Sequence, residues 1–175
     1  MTAYLVRGIQ AAGKSTVAQA LAERLPGPSV HVHGDIFRRW IVNGRERMTP
    51  GAGPEAHRQL RLRHRLTATA CDAYADAGFT PVVPDVVLGP ELEFLVGAIR
   101  ARPLRVVVLA PRPVAVAARE MARSKDSYGM WTVTALDRVL REETPRIGLW
   151  LDTSGLSVAA TVDEILRRDA DAAVR

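Results

Sequence analysis

Lysine is nearly missing from this chain of 175 residues: of 24 basic residues only Lys14 and Lys125 are lysines, and the rest are arginines. Cysteine occurs once, at Cys71, which excludes an internal disulfide and makes the cytoplasm the expected compartment. No apolar run approaches the roughly eighteen residues that a membrane-spanning helix needs. The N-terminal Met-Thr-Ala-Tyr-Leu-Val-Arg-Gly has no charged segment leading into a long apolar stretch, so no secretory leader is expected. Zinc spacing is missing too, since neither a cysteine nor a third histidine accompanies His31 and His33. There is no repeat, no low-complexity tract and no linker, and the length suits one domain spanning 1–175.

What is present is an ordinary globular composition, 47% hydrophobic and 25% charged, with a formal charge of +5. That charge fits nucleic acid, a phosphate-rich ligand or plain solubility, and by itself does not choose among them. The strongest local signal lies at the start. Ala3–Arg7 is an apolar run of strand length. It leads into Gly8-Ile9-Gln10-Ala11-Ala12-Gly13-Lys14-Ser15, which fits G-x-x-x-x-G-K-[ST], and then into a helix over Thr16–Leu25. From average residue usage, roughly one random chain per hundred or two would match by chance, and the strand–loop–helix context lowers that further. The glycines let backbone N–H groups turn inward around phosphate oxygens, and the helix N-terminus adds donors and a favourable dipole. Gly8, Ala11, Ala12, Gly13 and Thr16 are expected to line the nucleotide. Lys14 would lie along the β- and γ-phosphates of ATP, and the Ser15 hydroxyl would bind Mg²⁺.

Beyond this loop the elements alternate. Strands are expected at Ser29–His33, Thr80–Val87, Leu104–Ala110 and Ile147–Leu151. Helices are expected from Asp35 to about Ile41, at Glu55–Ala77, Pro90–Arg100, Pro113 to about Arg123, Val133–Glu143 and Val158–Arg168. Asn43–Pro54 reads as a loop. This alternation predicts an α/β fold with a five-stranded parallel sheet covered by helices on both faces. Ligands bind beyond the carboxyl ends of such strands.

Four strand-end segments therefore carry the candidate chemistry. Asp35, just past strand two, would orient a hydroxyl and accept its proton, a role compatible with capping the helix that follows. Arg38 or Arg39 would grip an anionic group of the acceptor, or both would line a solvated helix face. Asp85 would meet Mg²⁺ or the acceptor. Pro84 inside its strand suggests that the ladder stops there and leaves Asp85 in the cleft. Arg119 and Arg123, four apart on one helix face, would belong to a small lid spanning about 119–133 that brings cations to the transferring phosphoryl group. Asp152 and Thr153 suit either a nucleotide contact or a simple turn. His31 and His33 read as packed or hydrogen-bonded, and Trp40, Trp131 and Trp150 as core or wall residues.

Gly8–Ser15, Gly34-Asp35, Val83-Pro84-Asp85-Val86-Val87-Leu88-Gly89, Arg119-Glu120-Met121-Ala122-Arg123 and Leu151-Asp152-Thr153-Ser154 together resemble the chloramphenicol phosphotransferase-like small P-loop kinases, relatives of polynucleotide kinase domains. The resemblance implies a P-loop NTPase fold, ATP and Mg²⁺ as cofactors, Lys14 and Ser15 at the nucleotide and metal, Asp35 as general base, and Arg119 and Arg123 in the lid. Pro84 replaces the first of an acidic pair in the antibiotic kinase, leaving Asp85 alone, and the region Trp40–Glu55 differs from that enzyme. The expected activity is transfer of the γ-phosphoryl group of ATP to a hydroxyl of a small molecule. A polynucleotide 5′-kinase whose backbone track is Arg38, Arg39, Arg58, Arg61, Arg63 and Arg65 is the rival. Against that rival, no aromatic residues are interleaved with those arginines for base stacking. A nucleotide-binding regulator without turnover is the third reading, and intact Lys14, Ser15 and Asp35 argue against it.

Overall fold

A computed structural model describes residues 1–122 and 130–174. Five parallel strands, β1 Ala3–Arg7, β2 Ser29–His31, β3 Thr80–Asp85, β4 Leu104–Leu109 and β5 Leu149–Leu151, form one sheet in the order β2-β3-β1-β4-β5. The helices are α1 Lys14–Arg24, α2 Asp35–Arg39, α3 Pro54–Asp76, α4 Glu91–Ala98, α5 Pro113–Met121, α6 Val133–Arg138 and α7 Val158–Arg167. A π-helical turn, Val139–Glu143, continues α6, and a 3₁₀ turn, Asp169–Ala172, follows α7. Every residue of β1 is buried, as expected for the middle strand of a sheet covered on both faces.

The register decides which side chains meet. Asp85, Arg7, Val108 and Trp150 lie side by side on β3, β1, β4 and β5 and therefore face the same way. That face is covered by α3, whose Arg63 reaches Asp85. Tyr4, an odd number of residues from Arg7, faces the other side, where its hydroxyl donates to Asp169 at 2.6 Å, just beyond α7. There α7 packs on α1. The carboxyl ends of β1 and β3, with the loops that follow them, thus gather at one edge.

The expected elements are found, with shifted ends. Helix α1 begins at Lys14, two residues earlier than the apolar spacing predicts, and β2 ends at His31. One expectation fails and a second is narrowed. Pro84 does not end its ladder: it pairs with Val6, and Asp85 pairs with Arg7. The reason is directional. Val82 offers its carbonyl to Val32 on the β2 side, so Pro84, two residues on, turns its missing N–H to the same side, where the β2 pairing has ended at His31. Trp40, expected as a core or wall residue, is not in the core but 66% exposed, edge-on against Phe37.

Two buried polar groups on the α3 face bear on stability. Arg7 is fully buried, and among the described residues none of its three guanidinium nitrogens has a hydrogen-bond partner. Its guanidinium lies over the ring of Trp150, 5.6 Å from the centroid, and burial lowers its pKa to about 10. Replacing an unpaired buried cation by an apolar side chain of similar length is favourable. Arg7→Met is therefore expected to unfold at equal or higher urea concentration, with a gain of about 1–3 kcal/mol; a clear loss of stability would contradict this account. His64 on α3 is also fully buried, with Nδ1 3.6 Å from Glu91 and Nε2 4.0 Å from Asp85. Burial lowers its pKa to about 4, and the charge of Arg63 adds to the effect. The unfolded chain takes up this proton near pH 6.5 and the folded one only near 4. Stability therefore falls as pH drops through that window, by about 2 kcal/mol at pH 5 from this one group. Urea unfolding at pH 7.5 and pH 5 is expected to show that loss in the native chain and a shallower pH dependence in His64→Gln.

Candidate active site

The loop between β1 and α1 is shaped by close approach. Gly8 has φ +155°, and a Cβ there would lie 2.6 Å from the carbonyl oxygen of Leu109, so only glycine lets the loop leave β1 pressed against β4. Ala11 adopts a left-handed φ of 58° without being glycine, a strain of about 1–2 kcal/mol that the surrounding loop holds in place. Gly13 caps α1 in the left-handed region with no side-chain hydrogen bond, and the first turn of the helix carries no acidic residue. The backbone N–H groups there, the positive end of the helix and Lys14 form a concave donor set able to hold a polyphosphate. Lys14 Nζ donates to the carbonyl of Ile9 at 2.8 Å and lies near enough to Asp85 to pull its carboxyl pKa down.

Facing this loop, Arg63 of α3 joins two carboxylates. Its Nη1 donates to Asp35 at 2.7 Å and its Nη2 to Asp85 at 2.8 Å, and the guanidinium side chain is only 11% exposed. Asp85 is buried and Asp35 open. Burial raises the carboxyl pKa of Asp85 first and foremost. Arg63, the Val86 N–H and Lys14 oppose that rise, and Asp35 adds to it. Oδ1 of Asp85 also accepts from the N–H of Val86 at 2.7 Å, whereas Oδ2 is buried with no hydrogen-bond partner among the described residues. Gly34 makes the junction possible. A Cβ at that position would come within 2.5 Å of Thr67 Oγ1, so the β2–α2 turn seats on α3 and delivers Asp35 to Arg63. Arg63 is the participant the sequence reading missed. Its signal was present as the arginine-rich face of α3, but nothing in spacing alone singles out one arginine.

The other expected residues divide. Arg38 is half-buried one helical turn from Asp35, whereas Arg39 is exposed. Arg119 donates to the carbonyls of Ala12 (3.3 Å) and Thr153 (2.6 Å). It thereby closes a cleft of about 250 Å³ lined by Gly13, Thr16, Thr153, Leu156 and Val158. Thr153 is buried there, its hydroxyl without a hydrogen-bond partner among the described residues. Asp152 is exposed and accepts from the N–H and hydroxyl of its neighbour Ser154, so it shapes the turn rather than the cleft. Arg123 lies outside the described residues, as does 123–129 of the expected lid. Of the six arginines proposed to track nucleic acid, three pair with carboxylates. Arg58 pairs with Glu55, Arg61 pairs with Glu91 and covers Phe94, and Arg63 is committed to its two aspartates.

Comparison with solved structures finds the same fold at low identity. A sugar kinase from a Janibacter species superimposes with TM-score 0.71 at 18% identity, covering 98% of this chain and 96% of its own. The tunicamycin resistance protein of Deinococcus radiodurans gives 0.70 at 19% identity, covering 99% and 98%. The Mycobacterium tuberculosis APS kinase, solved with AMPPNP and APS, gives 0.68 at 18%, covering 95% of each chain. A search of curated proteins gives no match. The sheet order, the loop after β1 and the kinase relatives agree with the match of a family model to residues 3–167: the chain belongs to the chloramphenicol phosphotransferase-like protein family.

Proposed function

We propose that this protein is an ATP-dependent kinase, a single catalytic domain that transfers the γ-phosphoryl group to a hydroxyl of a small molecule, with Asp35 as general base. The observation that carries this reading is the joining of Asp35 to Asp85 through Arg63, opposite a glycine loop whose Lys14 senses Asp85. The loop amides from Gly8 to Ser15 and the first turn of α1 bind the β- and γ-phosphates, and Lys14 offsets charge on them. Arg119 and Thr153 border the cleft for the rest of the nucleotide.

Magnesium fits the donors present. The Ser15 hydroxyl and the buried, unpartnered Oδ2 of Asp85 are hard oxygen ligands of the kind that ion takes. Bound there, it would neutralise charge on the transferring phosphate. The exposed carboxylate of Asp35, held by Arg63, hydrogen-bonds the acceptor hydroxyl. It takes the proton as the new O–P bond forms and the bond to the β-γ bridging oxygen breaks, releasing ADP. Arg63 acts as a positioning residue, fixing Asp35 relative to Asp85.

Two substitutions test the assignment with separate readouts. Asp35→Asn is expected to bind MgATP as the native chain does and to lose phosphoryl transfer by about 10²-fold or more; undiminished turnover would remove Asp35 as base. Lys14→Ala is expected to lose nucleotide binding, measured calorimetrically, and transfer together.

A further inference from the structure

One stripe of α3 links the proposed base to a second cluster of arginines. Gln59, Leu62, Arg63 and Leu66 share a helix face by their spacing. At one end Arg63 holds Asp35. One turn away, Gln59 pins the loop that follows α2. Its Nε2 donates to the Gly44 carbonyl at 2.8 Å, and its Oε1 accepts from the Glu46 N–H at 2.9 Å. Leu62 lies between them and Leu66 one turn beyond Arg63, and they stay 42% and 38% exposed, an apolar floor beside the polar groups. Arg38, on the same side of α2 as Asp35, reaches this loop and donates to the Glu46 carbonyl at 3.4 Å, which sets it beside Arg45 and Arg47. The Indole N–H of Trp131 ties the next residue but one, donating to the Met48 carbonyl at 3.0 Å.

The charges in this corner do not balance. The pKa of Arg38 is lowered, first by burial and then by Arg45, Arg63 and Arg47; Asp35 opposes, and Asp35 is already engaged by Arg63. Glu46 is exposed and uses only its backbone in these contacts. Arginines brought together by a pinned loop, next to a proposed hydroxyl site, make a receptor for an anion.

Resting on the kinase reading above, we propose that the phosphoryl acceptor carries a negatively charged group, a carboxylate, sulfate or phosphate, held by Arg38, Arg45 and Arg47. The hydroxyl that receives the phosphoryl group lies at Asp35, three residues before Arg38 on α2, a spacing that makes the two side chains neighbours on one helix face. The acceptor is accordingly small, with its anion only a few bonds from its reactive hydroxyl and an apolar stretch over Leu62.

The test uses inorganic sulfate on the full chain saturated with MgAMPPNP, so that the glycine loop is already filled. Melting temperature is followed against sulfate at constant ionic strength, balanced with chloride. A saturable rise is expected in the native chain and in the distant surface variant Arg167→Ala. In Arg38→Ala, and separately in the exposed-loop double variant Arg45→Ala/Arg47→Ala, half-saturation is expected to move up by about tenfold or more, since a charge-assisted hydrogen bond is worth about 1.5–3 kcal/mol. A linear rise shared by all variants is general salt exclusion, and it overturns the anion site while leaving the kinase reading intact. An absence of any stabilisation by MgAMPPNP itself brings down both.

Discussion

A single guanidinium organises the carboxyl edge of the sheet. Arg63 bridges Asp35, which is open to solvent, and Asp85, which is buried at the end of β3. Taking Asp85 out of water is costly unless a cation accompanies it, and Arg63, nearly enclosed itself, supplies that cation through a short charge-assisted hydrogen bond. Removing one member of such a pair strands the other, at about 3–5 kcal/mol. The other terminal nitrogen of Arg63, Nη1, holds the turn after β2. The same interaction that makes a buried carboxylate tolerable thus sets the position of the proposed base.

The two loops that meet at this edge are seated by close contact rather than by charge. Gly8 rests against the carbonyl of Leu109, and Gly34 against Thr67, each at a distance no Cβ permits. These two glycines let the loops after β1 and β2 lie against their neighbours. The loop carrying Lys14 and the turn carrying Asp35 therefore face one another across the end of β3. Helix α1 opens with its amides uncapped by any side chain and with no acid in its first turn, which suits the polyphosphate proposed to bind there. Membership of the chloramphenicol phosphotransferase-like family and the shared fold of sugar and APS kinases agree with this layout. The loop 43–53, held by Gln59 and Trp131, is where this chain's own acceptor preference is proposed to reside.

The order of strands and helices, the phosphate-loop pattern at Gly8–Ser15 and the candidacy of Asp35 and Asp85 were legible in the amino-acid sequence. Each is a local property: a short apolar run, a fixed spacing, a carboxylate just past a strand. The role of Pro84 was misread because its effect depends on which neighbour its missing N–H faces, and that is settled by β2 ending at His31. Trp40 was read as a core or wall residue, and the five-residue α2 that carries it leaves it exposed. Arg63 stood among several arginines of α3, and only the packing of that helix beside Gly34 and β3 selects it over Arg58, Arg61 and Arg65. Likewise Thr153, rather than Asp152, borders the cleft beside Gly13, because the aspartate is consumed by its own turn. Periodicity and motif act within a few residues of chain and so can be read in order. Which charges meet is decided by contacts between segments far apart in sequence, and those exist only once the sheet has brought its carboxyl ends together.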